Sequence, residues 1–94
     1  MWEVLEHASV AKTLAKAPPQ VRANYDVWVS IARQQGPQGL RAVKGFHDEA
    51  LSGQLEGTRT SRLSGKWRVY YQRDKDAFRI YVDRVDAHRY RKSR

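Results

Sequence analysis

The stretch TRTSRLSGKWRVYYQRDKDAFRIYVDRV, residues 58–85, decides the fold. Three runs within it, 58–63, 67–73 and 78–85, are rich in β-branched and aromatic residues and read as strands, with Asp74-Lys75 at the tip of a hairpin joining the last two. Trp67, Val69 and Tyr71 alternate with Arg68, Tyr70 and Gln72, and Phe78, Ile80 and Val82 alternate with Arg79, Tyr81 and Asp83. Only one parity keeps the apolar sets together. Closing the hairpin at Arg73 and Asp76 pairs Val69 with Ile80 and Trp67 with Val82 on a covered face. It sets Tyr70 opposite Arg79 and Arg68 opposite Tyr81 on the other. The outer face is therefore expected to be basic and aromatic, able to contact phosphates and stack bases.

Working outward, the preceding chain supplies the cover. Residues 2–5 predict a short strand, and 9–17 predict a helix with Val10, Leu14 and Ala17 on one face, stopped by Pro18-Pro19. Residues 19–35 predict a second helix, whose stripe is Val21, Tyr25, Trp28 and Ala32 with Val29 and Ile31 beside it; Gly36-Pro37 supplies the stop. A short link between them suggests an antiparallel helical hairpin. The glycine-rich segment 36–57 has no sustained period and reads as a loop with one short strand near 41–44. The class is α+β: two N-terminal helices packed on one face of a small twisted antiparallel sheet.

A chain of 94 residues makes one domain with a modest core. The absence of cysteine removes disulfide frameworks, thiol nucleophiles and thiolate metal sites, and is compatible with a reducing compartment. The opening Met1-Trp2-Glu3-Val4-Leu5-Glu6 lacks a basic leader, and no segment is long and apolar enough to span a bilayer, so a cytoplasmic protein without membrane attachment is expected. A formal charge of +8 and a pI near 10.2 favour a polyanionic partner.

Several residues could do chemistry on such a partner. Metal-independent cleavage of RNA needs a base for the ribose 2′-hydroxyl, cationic stabilisation of the extra phosphate charge, and an acid for the departing 5′-oxygen. Glu49 is the candidate base, with His47 and Asp48 beside it; Arg68, backed by Arg62, is the candidate charge stabiliser. His88 is the candidate acid, because an imidazole near pKa 6.5 keeps a protonated fraction at neutrality, and Tyr90 could stack on a base. Bland readings stand beside these. Arg68 and Arg79 also fit a salt-bridged edge, Tyr70 and Tyr81 ordinary cross-strand pairs, and His47-Asp48-Glu49 a solvated loop or helix cap. His7, at a strand-to-helix junction, reads as structural. No spaced His or Cys set suits a metal, no cofactor is expected, and no phosphate-loop or covalent-nucleophile motif occurs.

Taken in order, Gly45-Phe46-His47-Asp48-Glu49-Ala50-Leu51-Ser52-Gly53, Glu56-Gly57-Thr58-Arg59-Thr60-Ser61-Arg62-Leu63, Trp67-Arg68-Val69-Tyr70-Tyr71 and His88-Arg89-Tyr90 resemble the RelE/ParE superfamily of type II toxin-antitoxin toxins. The likeness is strongest to its RelE/YoeB/HigB-like mRNA interferases. It implies a single RelE-like domain and an endoribonuclease that enters the ribosomal A site and cuts mRNA by 2′-hydroxyl attack without a metal. Glu49 looks like the family's catalytic carboxylate, Arg68 like its transition-state arginine and His88 like its near-terminal acid. Arg62 looks like a phosphate contact, and further substrate contacts are expected from His47, Arg59, Tyr70, Arg79, Tyr81 and Tyr90. In YoeB-like toxins the final His and Tyr are adjacent, whereas here Arg89 separates them. The implied partners are a separate acidic antitoxin, mRNA and the ribosome. The alternatives are a ParE-like gyrase inhibitor of the same fold and a non-catalytic RNA- or ribosome-binding module.

Overall fold

The computed structural model describes residues 1–87, so His88 and Tyr90 lie outside the described residues. Along the chain run β1 (Glu3–Glu6), α1 (Ala8–Ala15), α2 (Pro19–Ala42), β2 (Glu49–Ala50), β3 (Arg59–Ser64), β4 (Trp67–Asp74) and β5 (Arg79–Ala87). Short 3-10 turns, Lys44–Phe46 and Gly53–Leu55, flank β2. Five strands form one sheet in the order β1-β5-β4-β3-β2. All neighbours are antiparallel except β1, which runs parallel to β5. β1 is the exception within the expected antiparallel sheet: α1 and α2 lie between β1 and the rest, and a crossover of that length permits parallel return.

The predicted helical stripe is the core. Val21, Tyr25, Trp28 and Ala32 are buried on α2, and Val10 is buried on α1. Against them the sheet presents Val69, Tyr71, Ile80, Val82 and Val85, all sealed from solvent. Full burial of a Val or Ile side chain is worth about 1.5–3 kcal/mol, so these strand positions fix which face turns inward. Trp28 anchors the centre, stacked on Tyr25 at 5.8 Å and meeting the Tyr71 ring edge-on at 5.3 Å. The two helices are tied where they meet, the Arg22 guanidinium of α2 donating to the Leu14 and Ala17 carbonyls at the end of α1. Against the sheet, α1 rests mainly on β5, while α2 reaches β1, β3 and β5.

Gly36-Pro37 makes a kink where a stop was expected. Gly36 takes φ 69° and ψ −163°, and the helix resumes through Pro37 to Ala42, which replaces the strand expected near 41–44. Proline is tolerated because the break makes it the first residue of a new helical segment. Glycine is required there twice over: its φ is left-handed, and a Cβ would overlap the Trp2 indole. The short strand of this region appears later, at β2.

The hairpin between β4 and β5 keeps its predicted parity but not its register. Asp74 faces Arg79, Arg73 faces Ile80, Gln72 faces Tyr81 and Tyr71 faces Val82; then a bulge at Asp83 shifts the ladder, so that Tyr70 faces Arg84, Val69 faces Val85 and Arg68 faces Asp86. The pairings Tyr70 with Arg79 and Arg68 with Tyr81 are thus corrected. The connection is a wider turn through Lys75, Asp76, Ala77 and Phe78. The Asp74 carboxylate accepts from the Asp76 and Ala77 amides, and Phe78, the last residue of the turn, takes a left-handed φ of 53°.

Candidate active site

Asp48 and Glu49 are consecutive, so in an extended backbone their side chains leave by opposite faces. Asp48 turns inward. Its fully buried carboxylate accepts from Arg59 Nε at 2.7 Å through Oδ1, and from Ser61 Oγ and the Tyr71 hydroxyl, each at 2.6 Å, through Oδ2. One carboxylate thereby ties the approach to β2 onto β3 and β4. Burial, then the hydrogen bond to Asp48, holds the Tyr71 phenol above its ordinary range. For Arg59, burial works to lower the pKa, and the Asp48 hydrogen bond and charge outweigh it, so the guanidinium stays charged.

With Asp48 pinned inside, Glu49 lies outward. It stands opposite Thr60, which stands opposite Tyr70, which stands opposite Arg84; these four make one row across the outer face. The next row is Arg62, Arg68 and Asp86. From strand spacing and rise, the Cα atoms of Glu49 and Arg68 are about 12 Å apart, near enough for both side chains to reach one phosphodiester and its ribose.

The electrostatics of these rows are unusual. Arg62 and Arg68 are direct cross-strand partners, and like charges so placed cost roughly 0.2–1 kcal/mol. The carboxylate in their row, Asp86, is paired with Arg84 at 2.9 Å, and Arg84 in turn lies 3.8 Å over the Tyr70 ring. Among the described residues neither Arg62 nor Arg68 forms an ion pair, and two buried polar atoms of β3, Thr60 Oγ1 and Arg62 Nε, have no hydrogen-bond partner. An unsatisfied buried donor costs about 1–3 kcal/mol, more when charged. Paired guanidinium groups of this kind can accept an anion.

The other site candidates fall elsewhere. Arg59 faces inward and is spent on Asp48. His47 is exposed with a left-handed φ of 46° at the end of the first 3-10 turn. Tyr70 shares the outer face with Glu49 but is only 7 % exposed, covered by Arg84. Arg79 and Tyr81 share that face as well, yet at its far end: Arg79 is bonded to Glu3 at 2.9 Å, and Tyr81 lies between Leu5 and Gln72. The described part of the face carries both signs, with the arginine excess gathered at Arg62 and Arg68. His7 caps α1, its Nδ1 accepting from the Ser9 amide at 3.0 Å, as its structural reading expects. Among the described residues no three His, Asp or Glu side chains gather as a metal-holding group. Sequence reasoning missed Arg84, Asp86 and the anchoring role of Asp48. A signal for the first two exists: buried residues at 80, 82 and 85 break strict alternation and mark the bulge that turns Arg84 outward.

Neither a protein-family model nor a curated protein sequence matches the chain. Solved structures do. A chain of the RelBE2 toxin-antitoxin complex from Mycobacterium tuberculosis is 24% identical, with a TM-score of 0.65 over 93% of this chain and 91% of that one. A chain of the archaeal RelE-RelB complex from Pyrococcus horikoshii is 18% identical, with a TM-score of 0.70 over 92% and 93%. The YoeB/ParE toxin from Agrobacterium tumefaciens is 13% identical, with a TM-score of 0.73 over 93% of this chain and 99% of its own. Two helices on one face of a five-stranded, mostly antiparallel open sheet are common ground, and the chain therefore has the fold of the RelE- and YoeB-type toxins.

Proposed function

We propose that this protein is the toxin of a type II toxin-antitoxin system and an endoribonuclease that cuts mRNA in the ribosomal A site. The observation that carries the reading is the Arg62–Arg68 pair, two guanidinium groups that are in no ion pair among the described residues and face each other one row from Glu49 on the open side of the sheet. The fold it shares with toxins solved in complex with their antitoxins supports an antitoxin partner. No helix among the described residues is long and apolar enough to cross a membrane, consistent with action in the cytoplasm.

In the proposed reaction Glu49 takes the proton of the ribose 2′-hydroxyl, and the oxygen attacks the adjacent phosphorus. Arg68 and Arg62 hold the phosphate oxygens as negative charge accumulates, a role suited to paired planar donors. The 5′-oxygen leaves and takes a proton from His88, which follows Ala87 directly at the end of β5. The strands leave a cyclic 2′,3′-phosphate and a 5′-hydroxyl. Asp48 is the positioning residue, holding β2 so that Glu49 points outward. Tyr90 and His47 would contact the bases around the scissile bond, while Tyr70 backs Arg84 from beneath.

In-vitro translation with primer-extension mapping tests this reading. Cuts within codons that appear only when ribosomes are present are expected. They should vanish when the attacking 2′-hydroxyl is replaced by hydrogen, and fall by about a hundredfold or more in Arg68→Ala. Intact mRNA together with stalled gyrase would instead establish the ParE-like alternative.

A further inference from the structure

A second cationic site lies at the other end of the molecule. A groove of about 420 Å³ opens between the kink of α2 and the β4–β5 turn, within the range of small-ligand sites. Its cations are Arg41, Arg73 and Lys75, its amides Gln35 and Gln38, and its aromatic wall Trp2 and Phe78; no carboxylate lines it. Among the described residues none of the three cations is in an ion pair. Along β4 the distance from Arg68 to Arg73 is about 17 Å, and the two residues lie on opposite faces of the sheet, so this groove is separate from the candidate active site.

Two features show that the aromatic wall is built rather than incidental. Gly36 keeps the space that the Trp2 indole occupies, and Trp2 packs edge-on against Phe78 at 5.3 Å. Phe78 is 58 % exposed while holding φ at 53°, a left-handed conformation that a bulky side chain adopts only at a cost of about 1–3 kcal/mol. Folding gains little from an exposed ring in a strained turn. An aromatic face ringed by unpaired cations and amides is suited to a base stacked on the ring with phosphates alongside.

We infer that this groove binds single-stranded nucleic acid, with a base stacked on Phe78 and neighbouring phosphates on Arg41, Arg73 and Lys75. The site stands on its own residues and does not depend on cleavage at Glu49 and Arg68. Nucleic acid is favoured over an acidic protein segment because the groove couples its charge to an exposed aromatic face and amide groups, which a run of carboxylates would leave unused.

The test is titration of the full chain with an eight-nucleotide oligodeoxynucleotide, which lacks the attacking hydroxyl and so reports binding alone. The indole N–H resonance of Trp2 is expected to shift on saturation, and to do so equally in Arg68→Gln. Phe78→Leu should weaken that response about tenfold, as loss of one stacked base requires. Arg73→Gln with Lys75→Gln should reduce the salt slope of log K by about 1.4, for two phosphates of a single strand. An unmoved Trp2 resonance, or a Phe78→Leu variant that binds as tightly as the parent, overturns the inference. So does a polyglutamate peptide of equal charge that shifts Trp2 at equal or lower concentration, since it would identify an acidic protein segment as the occupant.

Discussion

Arg59 and Arg62 sit three residues apart on β3, and the sheet sends them to opposite faces. Arg59 enters the interior, where the Asp48 carboxylate also receives Ser61 and Tyr71. Arg62 remains outside, its buried Nε unpartnered among the described residues, with a second arginine directly opposite. A buried charge with its hydrogen bonds complete is a structural part, expensive to break and silent in chemistry. A cationic pair with its bonds incomplete destabilises the free protein slightly and gains when an anion arrives. The same residue type thus serves the fold on one face and the proposed chemistry on the other.

The largest effect that would break this contrast is at Asp48. Asp48→Ala leaves Arg59 buried and uncompensated, and a loss of about 3–5 kcal/mol in unfolding free energy is expected by urea denaturation. A loss under 1 kcal/mol would mean that the inner network is not structural. Arg62→Met sharpens the other half. Stability should change by less than about 1 kcal/mol, because a cross-strand repulsion is removed together with a charge. Single-turnover cleavage should meanwhile fall roughly ten- to a hundredfold, through lost phosphate contact. Equal losses in both measurements would assign Arg62 to the fold as well. The smallest effect comes from the phenols of Tyr25 and Tyr71. Burial raises both pKa values in the folded state, helped by hydrogen bonds to Glu6 and Asp48 respectively. Below about pH 10 each is neutral whether folded or unfolded, so their contribution is intact; above it the unfolded chain loses protons first. Stability should therefore decline with rising alkalinity, by up to about 1.4 kcal/mol per pH unit for each tyrosine. Tyr71→Phe should lessen that slope, and an unchanged slope would remove Tyr71 from the account.

Local periodicity made much of this legible. The α2 stripe of Val21, Tyr25, Trp28 and Ala32 is buried as its spacing predicts, and Val69, Tyr71, Ile80 and Val82 turn inward as alternation requires. The strand register was not legible, because it depends on a four-residue turn ending in a left-handed Phe78, a residue that turn statistics would place last at such a position. The parallel pairing of β1 with β5 joins residues on opposite sides of both helices, and no local pattern encodes it. Glu49, Arg62 and Arg68 could be named from residue type and order, yet their rows on the sheet follow from cross-strand pairing alone. Asp48 was the least visible. Its neighbours in sequence read as a polar loop, and only the fold reveals the three donors that make it a buried acceptor.

The position of β1 bears on how the chain can assemble. Among the described residues its sole neighbour in the sheet is β5, and the Glu3 to Arg79 bond spans 76 positions. β1 thus finds its place late, because the partner it needs is made after β2, β3 and β4. During synthesis the β3–β4 hairpin can close early, since its contacts are near in sequence, but β1 stays unpaired, and α1 lacks its main support, until β5 has been made. Arg68 acquires its opposite residue, Asp86, at the same late moment. A fragment truncated before β5 would lose the pairing of β1 as well, and with it the strand that sets Asp86 beside Arg68 and Arg84 beside Tyr70.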